Sequence, residues 1–350
     1  MEHYGQALRL LSGLMIRRRR GSSLSLDIAL ATLWLVIVYE QRFGEKPIQA
    51  VRAHLDGALS ILTSVDLRLS CLGARLLVWL LGLDARAATF GQGGALNKAI
   101  ARCLGIDHLK EAVDDWFRTL SSVYERSAPL FRVTWGPEYP TTEILYDIRH
   151  KEIFDLFRDC SQLRLMVAEI YQTTDTSTRP TRISTTQKKL RDLEQKHADL
   201  FSVASMMPSS VTEIGEGLTM TLCWVIPHYH ASVLDFLHAC GPQQTDDPRR
   251  FAAARDILKL AIYGYDKQGT PALVRVAWPL FMAGLETPDL FQQDWIVDRF
   301  KELGSYGRSY QTAADLLEKI HTTRRSDAAK DIEPSTAELK KTLSSGAFFI

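Results

Sequence analysis

Apolar residues recur along this chain every three or four positions, the spacing that predicts amphipathic helices. The pattern is clearest at 270–320. Its first apolar stripe consists of Leu273, Val276, Ala277, Leu280, Phe281 and Leu285. Thr270 and Pro271 are typical of a helix start. Pro279 lacks a backbone N–H and predicts a bend, and Gly284 is suited to end the helix.

Two more helices are predicted in the same stretch. The second restarts at Thr287, Pro288 and Asp289 and ends near Gly304. The third begins near Ser309. Their apolar faces are formed by Trp295, Ile296, Phe300 and Leu303 and by Ala313, Leu316, Leu317 and Ile320. The stretch therefore predicts an all-helical packing unit with no evident catalytic group.

Helical spacing continues through most of the remaining sequence, and no convincing alternation of period two is present. Further helices are predicted at about 2–20, 26–44, 48–62, 67–83, 107–125, 143–171, 187–203, 215–240 and 248–265. Short connections predict that the first four are antiparallel neighbours. The polar stretch 172–186 is expected to be an exposed, flexible loop, and 321–350 a polar C-terminal tail. The predicted fold is all-α, a multi-helical bundle or irregular helical solenoid forming one large domain over 1–320.

Composition and charge narrow the class of protein. Hydrophobic residues make up 46% and charged residues 24%, as in an ordinary globular domain. Lys and Arg number 42 against 41 for Asp and Glu, a net charge of +1. Nucleic-acid-binding domains usually carry a marked basic excess, because phosphate neutralisation supplies much of their affinity. We therefore expect that this chain does not contact DNA directly.

Two apolar runs were tested as membrane spans. The run 24–39 contains Asp27 and is shorter than the roughly 20 residues that a spanning helix needs. The run 65–83 contains Arg68 and Arg75, each costly at the centre of a bilayer. Both runs are better interpreted as buried helices, and no membrane association is expected.

The usual metal and cofactor motifs are not found in the sequence. The five cysteines are widely scattered and match neither a disulfide framework nor a zinc cluster. Asp114 and Asp115 lack the second carboxylate motif of a diphosphate-binding magnesium site. The glycines at 91–94 lack the strand and the Lys-Ser/Thr pair of a phosphate-binding loop and are interpreted as a turn. No metal, cofactor or catalytic residue is predicted, and the chain is not expected to be an enzyme.

Several residues nevertheless remain candidates for a binding site. His230 and His238 are two helical turns apart on one face and could line a pocket together. Four aromatic residues, Trp278, Phe281, Trp295 and Phe300, form either an effector pocket or part of the packing core. A cluster of Arg17, Arg18, Arg19 and Arg20 is either a nuclear-import signal or a set of cations that complement the C-terminus of the first helix.

The segment WPLFMAGLE at 278–286, followed by Trp295, Arg299 and Phe300 and by the last apolar stripe, resembles the end of the fungal-specific transcription factor domain. The early segment HLDGA at 54–58 and the helices around it resemble that domain's opening. This is the helical regulatory region of fungal binuclear zinc-cluster transcription factors. The resemblance spans about residues 2–320 and implies nuclear residence, control of RNA polymerase II genes, a protein partner or homodimer, and sensing of a small apolar effector.

The family's DNA-binding head, six closely spaced cysteines holding two zinc ions, is not found in this sequence. Zinc is expected only together with such a head. The expected function is regulation or interaction within a fungal transcription regulator, in control of metabolism or of a biosynthetic gene cluster. The alternatives are an all-α enzyme acting on a hydrophobic small molecule, which needs a cavity with convergent polar groups, and a non-enzymatic scaffold. Nuclear localisation is expected, with the cytoplasm as the alternative.

Overall fold

The computed structural model describes residue 13 and residues 26–44, 47–62, 70–91, 93–103, 123–127, 136–207, 216–241 and 247–328. Helices account for nearly all of these residues, which contain no strand. The predicted all-α class is confirmed. The chain divides into two compact units, Met1–Ile144 and Leu145–Ile350. The predicted arginine cluster at 17–20 lies outside the described residues.

The first unit contains helices α1 (Leu26–Phe43), α2 (Pro47–Leu62), α3 (Cys71–Thr89) and α4 (Ala95–Cys103). The hydroxyl of Ser70 accepts a hydrogen bond from the Gly73 backbone N–H at 2.9 Å and so caps α3. The same hydroxyl donates to Asp27 Oδ2 at 2.7 Å. The N-termini of α1 and α3 therefore lie side by side, as alternating helix directions require.

The glycine-rich turn before α4 binds a carboxylate of the same chain. Asp84 is buried, and its Oδ1 accepts from the Gly94 N–H at 2.9 Å. Its Oδ2 accepts from the backbone N–H of Asn97 at 2.9 Å and from that side chain at 2.8 Å. Burial raises the pKa of Asp84, and these hydrogen bonds act against that rise. The interpretation of 91–94 as a turn agrees with this arrangement, in which Asp84 occupies the anion-binding end of α4.

The second unit contains most of the long helix α5 (Thr141–Gln172). It continues through the following elements: α6 (Arg179–Lys196), α7 (Ala198–Met206), α8 (Glu216–Cys240), α9 (Pro248–Gln268), α10 (Thr270–Val274), α11 (Ala277–Glu286), α12 (Leu290–Leu303), a 3₁₀ turn (Gly304–Tyr306) and α13 (Arg308–Ala328). Helix α11 packs against α8, α9, α12 and α13, and all ten of its residues are buried. It is the central element of this unit.

The loop predicted at 172–186 is shorter in the structure, because α6 already begins at Arg179. Asp175 holds the turn before it by accepting from the Ser177 N–H at 2.9 Å, and Pro180 lies in the first turn of the helix. Helix α6 is mostly polar and buries few residues, so its sequence carries little apolar periodicity. Flexibility of the 173–178 connection stays a prediction.

The predicted helix from Thr270 to Gly284 is two helices in the structure. The break falls at Arg275 and Val276, ahead of Pro279, which occupies the first turn of α11. Gly284 does not end α11, which continues to Glu286. A Cβ at position 284 would lie 3.1 Å from Leu317 Cδ2 and 3.3 Å from Ile296 Cγ2. The glycine therefore allows α12 and α13 to approach α11 closely.

We predict that Gly284→Val lowers the free energy of unfolding by about 1–3 kcal/mol, because the added methyl groups overpack a close contact between three helices. The matched control is Gly264→Ala in α9, where a Cβ would lie at an ordinary 3.6 Å from Ala272 Cβ. That change should be neutral or stabilise by up to about 1 kcal/mol, since alanine favours a helix. Urea denaturation followed by circular dichroism measures both. Equal midpoints for wild type and Gly284→Val would contradict the close-approach role.

Candidate functional site

The break between α10 and α11 leaves the Arg275 carbonyl to be satisfied from another helix. In a continuous helix this carbonyl would accept from residue 279, but Pro279 has no N–H to donate. His228 of α8 takes that place, with its Nε2 2.9 Å from the Arg275 oxygen. Because a carbonyl oxygen only accepts, the proton resides on Nε2. One side chain of α8 thus satisfies the free carbonyl at the break between α10 and α11.

Aromatic and cationic side chains surround this hydrogen bond. The Arg164 guanidinium of α5 lies 3.7 Å from the centre of the Trp278 ring. The His228 ring stacks with Trp278 at 5.9 Å and meets Phe157 edge-on at 5.1 Å. Arg164, His228 and Trp278 are all buried. A cation over an indole ring contributes about 2 kcal/mol when desolvated, so this stack fixes α5, α8 and α11 against one another.

The C-terminal end of α11 is completed by side chains of α13. The residue four positions after Gly284 is Pro288, which again has no N–H for the helix ladder. His321 Nε2 instead donates to the Gly284 carbonyl at 2.7 Å, and an Arg324 Nη1–H donates to the Leu285 carbonyl. Burial lowers the pKa of His321, and its bond to Gly284 acts against that shift. The neutral imidazole fits its role as a single-proton donor.

Glu286, the last residue of α11, is the centre of a buried ionic cluster. Its side chain pairs with His238 Nε2 of α8 and with the Arg250 guanidinium of α9, whose Nε and Nη2 lie 2.7 Å and 2.9 Å from the two carboxylate oxygens. Burial disfavours the charged carboxylate, but the hydrogen bonds and charges of His238 and Arg250 outweigh it and hold the pKa of Glu286 below its ordinary value. Burial lowers the pKa of Arg324, which the nearby Glu286 opposes.

A half-open groove of about 470 Å³ lies directly beside this cluster. One wall comes from the start of α9 and the other from the connection between α11 and α12. The groove is lined by Pro248, Phe251, Ala252, Ala254, Arg255, Thr287, Pro288, Asp289 and Gln292. Phe251 of α9 is 52% exposed. Phe291, which precedes the lining residue Gln292 in the first turn of α12, is 87% exposed. The surface is therefore largely apolar and open to solvent.

The structure distributes the sequence-predicted candidates over several environments. Trp278 lies in the stack with Arg164, whereas Phe281 and Phe300 form a separate edge-to-face pair at 6.3 Å. Trp295 meets Tyr265 at 6.0 Å.

The two predicted histidines have different partners. His238 pairs with Glu286, and His230 lies 6.1 Å from the Phe201 ring. Burial lowers the pKa of His230, against the raising effect of Asp256. An effector pocket at the six predicted residues stays a prediction, and none of the six lines the groove.

Sequence reasoning missed the residues that complete α11, namely Arg164, His228, Arg250, Glu286, His321 and Arg324. The bonded pairs Arg250–Glu286, His228–Arg275 and His238–Glu286 are 36, 47 and 48 positions apart in the sequence. The only usable signal was the pair of prolines at 279 and 288, each of which predicts a carbonyl without its ordinary helical donor.

Two further absences apply to the described part of the chain. No group of three or more His, Cys, Asp or Glu side chains there could hold a metal ion. None of the helices that the structure describes is both long enough and apolar enough to cross a membrane.

This geometry defines an all-helical protein in which buried polar groups join helices around one central element beside an apolar groove. The chain belongs to the fungal-specific transcription factor domain family, whose pattern matches residues 1–328. The resemblance at 278–286 and 54–58 is thereby confirmed, and the chain is a domain of a fungal transcription regulator. Comparison with curated proteins and with solved structures gave no significant match. The family is a regulatory domain and generally non-enzymatic.

We predict that Glu286→Gln lowers the free energy of unfolding by about 3 kcal/mol at neutral pH, because it leaves Arg250 without its counter-charge. The loss lies at the lower end for a buried pair, since the Arg250 side chain is 16% exposed. A control is Glu318→Gln, whose carboxylate pairs with Lys301 at 3.3 Å and is 57% exposed. That change should cost less than about 1 kcal/mol.

The pH dependence of the Glu286→Gln effect follows from the lowered pKa of Glu286. A carboxylate with a depressed folded-state pKa stabilises the fold above its unfolded value of 4.5 and loses that contribution as the pH falls through the folded value. The difference between wild type and variant should therefore be large at pH about 7 and shrink at pH about 3.5. Urea denaturation at both pH values measures it. A difference independent of pH would contradict an ionised Glu286.

We predict that His228→Ala lowers the free energy of unfolding by roughly 1–3 kcal/mol, because the Arg275 carbonyl loses its donor and Trp278 loses a stacked ring. His228→Gln keeps an N–H donor and should lose less. Denaturant unfolding followed by circular dichroism measures the loss of stability in each variant. If the alanine and glutamine variants were equally stable, the hydrogen bond to Arg275 would contribute nothing.

Proposed function

We propose that this chain is the regulatory and interaction domain of a nuclear transcription regulator, which controls RNA polymerase II genes by binding a protein partner. Family membership supports the regulatory role. The observation that carries the interaction role is the apolar groove lined by the half-exposed ring of Phe251, with the exposed Phe291 one residue before the lining residue Gln292. Exposed apolar patches of this kind mark interaction sites more often than ordinary surface.

The groove is suited to a peptide or helix of a partner protein. It is half open, and its apolar walls carry the polar groups of Arg255, Asp289 and Gln292 at the margin. An apolar centre with a polar rim is the usual anatomy of a protein interface. A small apolar effector is the second ligand we propose, and its place is the aromatic core around Trp278, reached through a change in packing. The near-neutral charge of +1 supports assigning direct DNA contact to a different segment or partner.

The groove is connected to the buried ionic cluster through residues that are neighbours in sequence. Arg250 immediately precedes Phe251 on one wall, and Glu286 immediately precedes Thr287 on the other. The ion pair between Arg250 and Glu286 therefore joins the two walls at their base. A partner that widens or narrows the groove changes the geometry of this pair, and a ligand shifts such an equilibrium only by binding one geometry more tightly. We propose this as the regulatory mechanism, with control of metabolic or biosynthetic genes as the output.

The test replaces the two exposed rings in the natural host. We expect Phe251→Ser with Phe291→Ser to reproduce the transcript changes caused by deletion of the gene, because partner binding at the groove is lost. Ile262→Ser is the matched control, since Ile262 is exposed on the same helix α9 and does not line the groove. RNA sequencing, immunoblotting for protein level and a fluorescent fusion for nuclear localisation are the measurements. A deletion strain with an unchanged transcriptome would overturn the proposed function.

A further inference from the structure

Helices α1 and α3 of the first unit are apolar even on the side that faces solvent. Apart from Arg42, every residue of these two helices that is classed as exposed is large and apolar. These residues are Ile28 (52% exposed), Leu35 (60%) and Phe43 (61%) in α1, and Leu72 (43%) and Trp79 (43%) in α3. A helix that is apolar on all sides is normally covered on all sides. The exposed side of this helix pair therefore has the character of an interface.

The exposed residues form one continuous surface, which we call the outer α1/α3 face. The two helices start side by side at the Asp27–Ser70 hydrogen bond, and the Trp34 and Trp79 rings meet further along with their centroids 5.0 Å apart. Both helices therefore run in the same direction and in contact. In each helix the exposed residues lie opposite the buried stripe, so the exposed sides of α1 and α3 point the same way.

We propose that the outer α1/α3 face is a dimer interface on which a second copy of this chain docks. The two α1 helices run antiparallel across a twofold axis at Leu35. This contact lies in the first unit, does not involve the groove, and goes beyond the function proposed above. A dimer carries two grooves, so a partner with two binding segments gains avidity from it.

Charge complementarity selects the antiparallel second copy as the occupant. Helix α1 has Asp27 in its first turn and Arg42 in its last turn. These residues are eight and seven positions from Leu35, so a twofold axis at Leu35 places each Arg42 beside the partner's Asp27. A parallel arrangement would set the two Arg42 side chains against each other. Opposite charges at both ends of the apolar face thus fix the orientation of the second copy.

The available area is sufficient for a specific dimer. The five exposed apolar side chains, each about half exposed, offer roughly 500 Å² per copy. Half-buried neighbours on the same helices, such as Trp34 and Tyr39, add on the order of 200 Å². Two copies would together bury about 1,400 Å², within the range of about 1,200–2,000 Å² that specific interfaces need. An interface of this size binds in the micromolar range or more tightly.

The first test is sedimentation velocity of the full chain across the micromolar range. We expect a monomer–dimer equilibrium with a Kd on the order of 1 µM. Leu35→Glu places two carboxylates at the twofold axis and should weaken the dimer by about 100-fold or more. The fold tolerates this change because the Leu35 side chain is 60% exposed. Ile262→Glu in α9 is the matched control, since Ile262 is also an exposed apolar residue and lies in the second unit. It should leave dimerisation unchanged.

A charge exchange tests the antiparallel arrangement. Arg42→Asp and Asp27→Arg each set like charges at both ends of the interface, and each should weaken the dimer by about tenfold. An equimolar mixture of the two variants restores both ion pairs, so we expect it to recover the wild-type affinity as a heterodimer. Circular dichroism confirms that the variants are folded. The comparison of Leu35→Glu with Ile262→Glu stays decisive even if Asp27→Arg, which loses the bond to Ser70, does not fold.

Three results would overturn the proposal. They are a chain that stays monomeric across the micromolar range, a dimer that Leu35→Glu does not weaken, and a mixture of folded charge variants that does not regain affinity. The readout is the mass of the isolated protein in solution. It can therefore fail while the transcript profile still supports the proposed function, and it can succeed in a chain that controls no genes.

Discussion

The second unit of this protein depends on the buried carboxylate of Glu286. A charge at this depth is tolerated only when its hydrogen bonds and counter-charges are supplied by the fold. His238 and Arg250 supply them from two different helices, so the last residue of α11 is held by α8 and α9 together. The cluster therefore constrains how α8, α9 and α11 are arranged.

The two prolines of the α11 region extend the same constraint to both ends of the helix. Pro279 and Pro288 each remove one donor from the helical ladder. The freed carbonyls are satisfied by His228 from one side and by His321 from the other. A segment of ten residues thus receives polar contacts from helices that lie far apart in sequence. Its neighbours cannot move independently of it.

This arrangement places the buried ionic cluster of Glu286 next to the open apolar groove. The groove is lined by Phe251 and Thr287, the residues that directly follow the paired Arg250 and Glu286. A binding surface built on a rigid support presents its apolar groups with little loss of entropy on binding. In the function proposed above, the same proximity lets a ligand in the groove act on the ion pair. Such a connection between a surface event and an internal change of packing is what the proposed regulatory role requires.

The sequence by itself determined the helical class and the family, because apolar periodicity and the motif at 278–286 are local properties. It also indicated that Pro279 perturbs its helix. It did not place the break ahead of that proline, the early start of α6, or the partners of Glu286. Those depend on side chains such as His228 and His321, which come from distant helices. Only the tertiary structure decides which donor reaches a freed carbonyl, since that choice depends on the packing of whole helices.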